Sequence, residues 1–137
     1  MALAKTVAAD WLHRSLVFQS DIEGKPPVVI DGNSGEGPSP VDSLLIALAG
    51  CTGSDVVEIL QKKRLDLREL RIEINGTRRD DHPRRFTAID MVFRVKVPGA
   101  QEYHVRQAVD LSLQKYCSVT HSLNPDIPVR YEIVLEA

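Results

Sequence analysis

Three features of this 137-residue sequence predict an α+β fold in which helices pack on antiparallel sheet. Short extended segments fill the N-terminal part. A long apolar helix with marked ends follows, and two alternating strands, a second amphipathic helix and a final strand complete the chain. The expected order is β-β-β-α-β-β-α-β in one domain over residues 1–137, with neither internal repeat nor low-complexity segment.

The first strands are expected over Lys5 to Asp10 and Arg14 to Asp21, with Glu23-Gly24-Lys25 as a turn before Val28-Val29-Ile30. From Asp31 to Pro40 the chain reads DGNSGEGPSP. So many glycine, proline and small polar residues predict a loop too polar to bury and too flexible for a regular element. Ser39 then serves as an N-cap, Pro40 fits the first helical position, where an N–H has no partner, and Asp42 takes the third position of a capping box. Leu44, Leu45, Ile46, Ala47, Leu48 and Ala49 cover every side of the cylinder, the pattern of a helix buried all round. This central helix runs on through Cys51, Val56, Val57, Ile59 and Leu60 and ends in Gln61-Lys62-Lys63-Arg64, where cations favour the negative end of the dipole.

Leu70, Ile72 and Ile74 alternate with Arg71, Glu73 and Asn75, and Ile89, Met91, Phe93, Val95 and Val97 alternate with polar neighbours, so two strands flank a hairpin loop at Gly76 to Arg85. Gln101 to Cys117 reads as a second helix with Val105, Ala108, Val109, Leu113 and Tyr116 on one stripe. Asn124-Pro125-Asp126 breaks the chain before a last strand through Val129, Tyr131, Ile133 and Leu135.

Composition narrows the function classes. Seventeen Lys and Arg against nineteen Asp and Glu leave a net charge of −2, and the longest like-charge block is Lys62-Lys63-Arg64, which argues against a nucleic-acid partner. The longest continuous apolar run, Leu44 to Gly50, falls far short of the roughly 20 residues of a membrane span, and no basic-then-apolar leader pattern opens the chain, so a cytoplasmic protein is expected. The four histidines form no metal-ligand spacing, and neither metal nor cofactor is expected. His121, four residues after Cys117, is the one histidine worth following, and a solvated loop position is the better account of it.

The two cysteines, Cys51 and Cys117, are 66 positions apart, too distant in sequence for a zinc knuckle or a CxxC pair. A buried thiol can be simple packing. Gly50 and Gly53 bracket Cys51, however, and glycine inside a helix costs roughly 0.5–1 kcal/mol relative to alanine, which points to something approaching the backbone there. Cys117 follows Leu113 by four residues and shares its stripe if the second helix reaches that far, but spacing leaves open whether the thiols meet. A reactive Cys51 needs a cation, because it lies beyond reach of the helix dipole and Asp55 one turn later opposes ionisation. Arg14, in step with Leu16 and Phe18 on a predicted strand, is the candidate, unless that strand is an edge and the side chain reaches to water. Asp42 could orient such an arginine, although its place in the first helical turn explains it as well.

The run Gly37-Pro38-Ser39-Pro40 through Ala49-Gly50-Cys51-Thr52, with Tyr116-Cys117-Ser118-Val119 and a terminal strand, resembles the OsmC/Ohr family of osmotically inducible and organic hydroperoxide resistance proteins, on its OsmC-like branch. The resemblance covers nearly the whole chain. It implies an OsmC-like fold with antiparallel sheets around a buried central helix, an intertwined homodimer with active sites at the subunit interface, and a thiol peroxidase reducing organic hydroperoxides and, less efficiently, hydrogen peroxide in oxidative stress defence. By that resemblance Cys51 is the peroxidatic cysteine and Cys117 the resolving one, joined in a disulfide that a dithiol reductant, of lipoyl type or a small thiol, then opens. Arg14 and Asp42 are the nearest matches to the family's arginine and glutamate, Asp42 being one methylene shorter. Two other readings compete: a non-catalytic dimer binding a small hydrophobic ligand in its interface pocket, and a structural module with two inert thiols.

Overall fold

A computed structural model describes residues 3–137, and the elements follow the predicted order with one short helix added. Met1 and Ala2, where the reading of the N-terminus begins, lie outside the described residues. The chain divides into two units, Met1–Leu44 and Leu45–Ala137, whose boundary falls inside one helix.

The first unit holds an antiparallel sheet of β1 (Ala8–Trp11), β2 (Val17–Asp21) and β3 (Val29–Asp31), in that order, with Ala9 opposite Ser20 and Phe18 opposite Ile30. Strand β2 starts at Val17, three residues after its expected start. His13 and Ser15 take φ of 60° and 45°, so the backbone curls left-handed around Arg14. The Leu12 N–H donates to the Val17 carbonyl at 3.0 Å and the Val17 N–H to the Arg14 carbonyl at 3.2 Å, closing the hairpin. Arg14 therefore sits in a turn, with no strand alternation to share with Leu16 and Phe18, and both of those side chains are exposed.

The glycine-rich loop is ordered by a buried carboxylate, contrary to its expected flexibility. Asp31 is 3% exposed and accepts the backbone N–H groups of Asn33, Gly35 and Glu36 at 2.8, 3.1 and 3.0 Å. The Asn33 amide first, then that of Glu36, hold its carboxyl below the usual carboxylate range. Gly37 is required, since a Cβ there would stand 2.7 Å from the Val29 carbonyl oxygen.

Helix α1 spans Pro40–Lys62. The capping box forms as expected: the Asp42 N–H donates to Ser39 Oγ at 3.0 Å and the Ser39 N–H to Asp42 Oδ2 at 3.2 Å. Burial all round does not follow. Leu48, Thr52, Gly53, Val56 and Leu60 form one buried stripe, while Leu44 and Ile46 are exposed, because only one face of the cylinder meets the core. By length and composition alone α1 could cross a membrane. Its buried stripe is instead taken up by the protein's own core.

The second unit carries a sheet of order β4-β5-β6, from β4 (Glu69–Arg78), β5 (Phe86–Lys96) and β6 (Val129–Glu136). Strands β4 and β5 form an antiparallel hairpin with Ile72 opposite Phe93 and Ile74 opposite Met91. The sheet is mixed, however, since β6 runs parallel to β5 with Ile133 beside Phe93. The helices joining β5 to β6 return the chain to the end where β5 began, which a parallel pair requires. Ile89, Met91, Phe93 and Val95 of the central strand are buried to 1% exposure or less, worth roughly 1.5–3 kcal/mol each. Strand β4 continues through Gly76-Thr77-Arg78, into the expected loop, and a register shift between Thr77 and Arg78 turns Phe86 onto the core face.

The predicted helix Gln101 to Cys117 is interrupted. Helix α2 covers Glu102–Leu111, a π-helical turn follows at Ser112–Tyr116, and a separate α3 spans Ser118–Ser122. The wider turn rotates Tyr116 off the apolar stripe to an exposed position. Tyr131 of β6 holds α2 down: its ring meets Phe93 edge-on at 5.9 Å and its hydroxyl donates to Asp110. Burial, then Asp110, pushes the phenol up to about 12, so that it remains a donor across the working pH range.

Gly76 permits one close approach, because a Cβ there would lie 2.4 Å from the Phe86 ring. Gly76→Ala is expected to destabilise the protein by about 1–3 kcal/mol in urea unfolding. Combining it with Phe86→Leu should cost less than the sum of the two single changes, and strict additivity would show that the ring does not rest on the glycine.

Candidate thiol site

Helix α1 presents Cys51 half-buried and Thr52 fully buried at adjacent positions. Cys117 comes from the opposite direction, out of the π-helical turn. Its N–H donates to the Ser112 carbonyl at 2.8 Å, five residues back, and the chain then leaves the helix with φ −72° and ψ 102°. The turn is fastened to α1 where buried Ser112 donates its hydroxyl to Asp55 Oδ2 at 2.7 Å. Asp55, expected to oppose Cys51 ionisation, is thus engaged elsewhere.

Cys117 has no exposed surface and caps α3. Its sulfur accepts the Thr120 N–H at 3.3 Å and the Thr52 hydroxyl at 3.4 Å. Cys51 precedes Thr52, whose hydroxyl reaches the Cys117 sulfur, and the Val119 and Ser118 amides and the Cys117 thiol act on its ionisation. The two thiols are therefore neighbours, and both are free. Burial pushes the Cys51 thiol up, and the Cys117 sulfur adds to that, against the two amides. Burial also opposes ionisation of Cys117, but hydrogen bonds from Thr120 and Thr52, with a further one from Cys51, outweigh it and draw that thiol down.

Arg14 and Asp42 lie in the first unit, and they do not pair. Arg14 makes a bidentate pair with Glu36, Nη2 to Oε1 at 2.7 Å and Nε to Oε2 at 2.8 Å, which holds the Glu36 carboxyl below its usual range. Asp42 is occupied in the capping box. His121 belongs to α3, where its ring lies between the carbonyls of Cys117 at 2.8 Å and Gln114 at 3.2 Å and so braces the turn.

Sequence reasoning missed Thr52, Thr120, Ser112 and Glu36. Thr120 stands three residues after Cys117, the spacing of a cap to its third helical residue, but cysteine is outside the usual capping set. The Ser112–Asp55 and Arg14–Glu36 contacts join residues 57 and 22 positions apart and carry no local signal. Of the bracketing glycines, Gly53 has a reason within the chain, since a Cβ there would stand 3.1 Å from Ile72 Cδ1, whereas a Cβ at Gly50 would meet open space.

Residues 32–132 match the family described as OsmC-like protein. Protein YhfA of Escherichia coli strain K12 is 38% identical over 127 residues, covering 90% of this chain and 94% of its own. A hypothetical protein from Aquifex aeolicus VF5 superposes with a TM-score of 0.83 at 28% identity, over 99% of this chain and 100% of that one. An OsmC-like protein from Mycoplasma pneumoniae has the same fold, with a TM-score of 0.83 at 16% identity and complete coverage of both chains.

Iodoacetamide alkylation of Cys51, followed by mass spectrometry, should rise with pH to a midpoint above the ~8.5 of a free thiol. Cys117→Ala should bring that midpoint down without reaching the free value, because burial remains. An unchanged midpoint would mean that the two sulfurs do not sense each other.

Proposed function

The chain belongs to the OsmC-like protein family, and from that premise we propose that it is a cysteine-based peroxidase that reduces organic hydroperoxides in oxidative stress defence. The observation that carries the reading is that Cys117, fully buried at the start of α3, has its sulfur bonded by Thr52, the residue that follows half-buried Cys51 on α1. In this reading the Cys51 thiolate attacks a peroxide oxygen, the O–O bond breaks, and the leaving alkoxide takes a proton to depart as an alcohol. The Cys117 sulfur then attacks the Cys51 sulfenic acid, water leaves, and a disulfide forms before over-oxidation can proceed. A dithiol, of lipoyl type or a small thiol, restores both thiols by exchange and leaves as a disulfide. The cytoplasm suits such a cycle, since its reducing poise returns the pair to the free state.

Cys51 is pushed up by burial, so the peroxidatic role calls for a cation beyond the two amides. The family resemblance assigns that part to Arg14. Glu36, through its bidentate contact, takes the place of Asp42 as the carboxylate that orients the guanidinium. The reading also includes a homodimer about α1. Ile46 is 60% exposed and Gly50, one turn on, has open space where a side chain would be, an apolar stripe suited to close approach of a second helix.

One observation favours the alternative, a non-catalytic dimer that binds a small hydrophobic ligand. A raised Cys51 thiol is a poor nucleophile at neutral pH. A cavity of about 300 Å³ begins one turn along α1, lined by Asp55, Ile59, Leu111 and Tyr116 among others.

Cumene hydroperoxide consumption with dihydrolipoamide discriminates the two. The peroxidase reading expects turnover that Cys51→Ser abolishes and Cys117→Ser reduces to a slow reaction ending in over-oxidised Cys51. Arg14→Met should lower the second-order rate constant for peroxide by about 10²-fold or more, within the range for removing one preorganised charge at a reacting centre. Unchanged turnover in Cys51→Ser would overturn the Cys51 peroxidase reading, whereas no turnover and no disulfide after peroxide treatment of the wild-type chain would favour the ligand-binding alternative.

A further inference from the structure

Resting on the thiol-disulfide reading above, we propose that Thr52 and Thr120 are positioning residues for Cys117. Their hydrogen bonds aim its sulfur and stabilise it as an anion, so Cys117 is the attacking group when the disulfide forms and the leaving group when it is reduced.

Donors converge on this sulfur from two separate elements. Thr52 donates its hydroxyl from α1 at 3.4 Å, and Thr120 donates its backbone N–H from α3 at 3.3 Å. The Thr120 hydroxyl is buried near the sulfur with no hydrogen-bond partner of its own among the described residues, so its proton is free to turn to the sulfur once that carries charge. Thr52 is fully buried on a helix where a hydroxyl has a ready alternative, the carbonyl one turn back. Ser43 and Ser54 on the same helix, and Ser122 on α3, all bond that carbonyl. Thr52 turns its proton to the thiol instead.

The surroundings leave these hydroxyls as the means of stabilising charge. Cys51 of α1 is the titratable group that acts on the sulfur's ionisation. Asp55 of α1 is taken by Ser112, and His121 of α3 addresses the Cys117 carbonyl rather than its sulfur. Hydrogen bonds to the charged form are what draws the thiol down against its burial.

Accessibility then assigns the order of events. An external thiolate can reach half-buried Cys51 but not Cys117, which has no exposed surface. Reduction therefore forms a bond from the reductant sulfur to Cys51 and breaks the Cys51–Cys117 bond, and the electron pair departs on Cys117. The second sulfur of the dithiol closes on the first, releases Cys51 as thiolate, and the reductant leaves oxidised. A leaving thiolate of lower pKa departs faster, and the same stabilised anion is ready to attack the sulfenic acid in the next cycle.

Two measurements test this, and neither depends on peroxide turnover. Thiolate absorbance near 240 nm, titrated in the Cys51→Ser chain, reads Cys117 alone. Adding Thr52→Val or Thr120→Val should raise its midpoint by about one pH unit each, whereas Thr52→Ser should leave it in place. In the chain with both cysteines, the disulfide is formed with diamide and reduced with dithiothreitol. Reduction should slow severalfold in either valine variant, with Thr52→Ser restoring the rate. Far-UV circular dichroism checks that each variant is folded, and each threonine is tested separately so that loss of one variant leaves the other. Unmoved midpoints in the folded valine variants, or an unmoved reduction rate, would overturn the proposal. Shifted midpoints and rates in a chain that consumes no hydroperoxide would overturn the peroxidase reading and leave the roles of the two threonines standing.

Discussion

Two hydrogen bonds reach from one face of α1 to the segment after α2, and the rest of the thiol site depends on them. Asp55 accepts from Ser112 and Thr52 donates to Cys117. The donors and acceptors are three residues apart on α1 and five apart on the segment that meets it, which suits a π-helical turn better than an α-helical one. The π-turn is an unfavourable conformation held by tertiary contacts, and it ends the apolar stripe of α2 at the point where the chain must deliver a sulfur to α1 instead of another core side chain. Removing a polar partner from such a buried pair leaves the other without water to replace it, typically about 1–3 kcal/mol.

That delivery needs a rigid base. Strand β5 sits in the middle of the second unit's sheet, with Ile89, Met91, Phe93 and Val95 sealed beneath the helices. Tyr131, wedged against Phe93 and bonded to Asp110, ties α2 to the sheet edge. The parallel pairing of β5 and β6 belongs to the same arrangement. The connection between them carries α2, the π-turn and α3, so the strand that closes the sheet also fixes both ends of the segment bearing Cys117. In the first unit an equivalent local economy operates on polar groups: Asp31 gathers three backbone amides, and Arg14 is held by Glu36 at the hairpin turn.

The elements with a local cause were legible in advance. Ser39, Pro40 and Asp42 mark the start of α1 because capping is a matter of three or four neighbouring residues, and the period-two pattern from Ile89 to Val95 shows a half-covered strand because the pleat alternates regardless of what lies opposite. The misread elements each had a distant cause. Helix α2 gives way at Leu111 to a π-turn whose first residue is bonded to Asp55 on another helix, and Arg14 leaves the strand where two non-glycine residues beside it adopt positive φ to close a hairpin. The direction of β6 was hidden for the same reason, since alternation specifies which side chains point inward and is silent about which way the neighbouring strand runs.

What the sequence by itself determined is the order of the main elements, the family, and two cysteines placed on or beside its helices, since each is written in residue types and short-range spacing. What only the tertiary structure decided is the character of those cysteines. Cys51 and Cys117 are alike as residues, but one emerges half-exposed beside two amides while the other is buried under Thr52 and Thr120, and their ionisation is drawn in opposite directions. Ionisation reports the local dielectric and the nearest donors, and those are supplied by residues of α1 and α3 that adjoin only when the chain is folded.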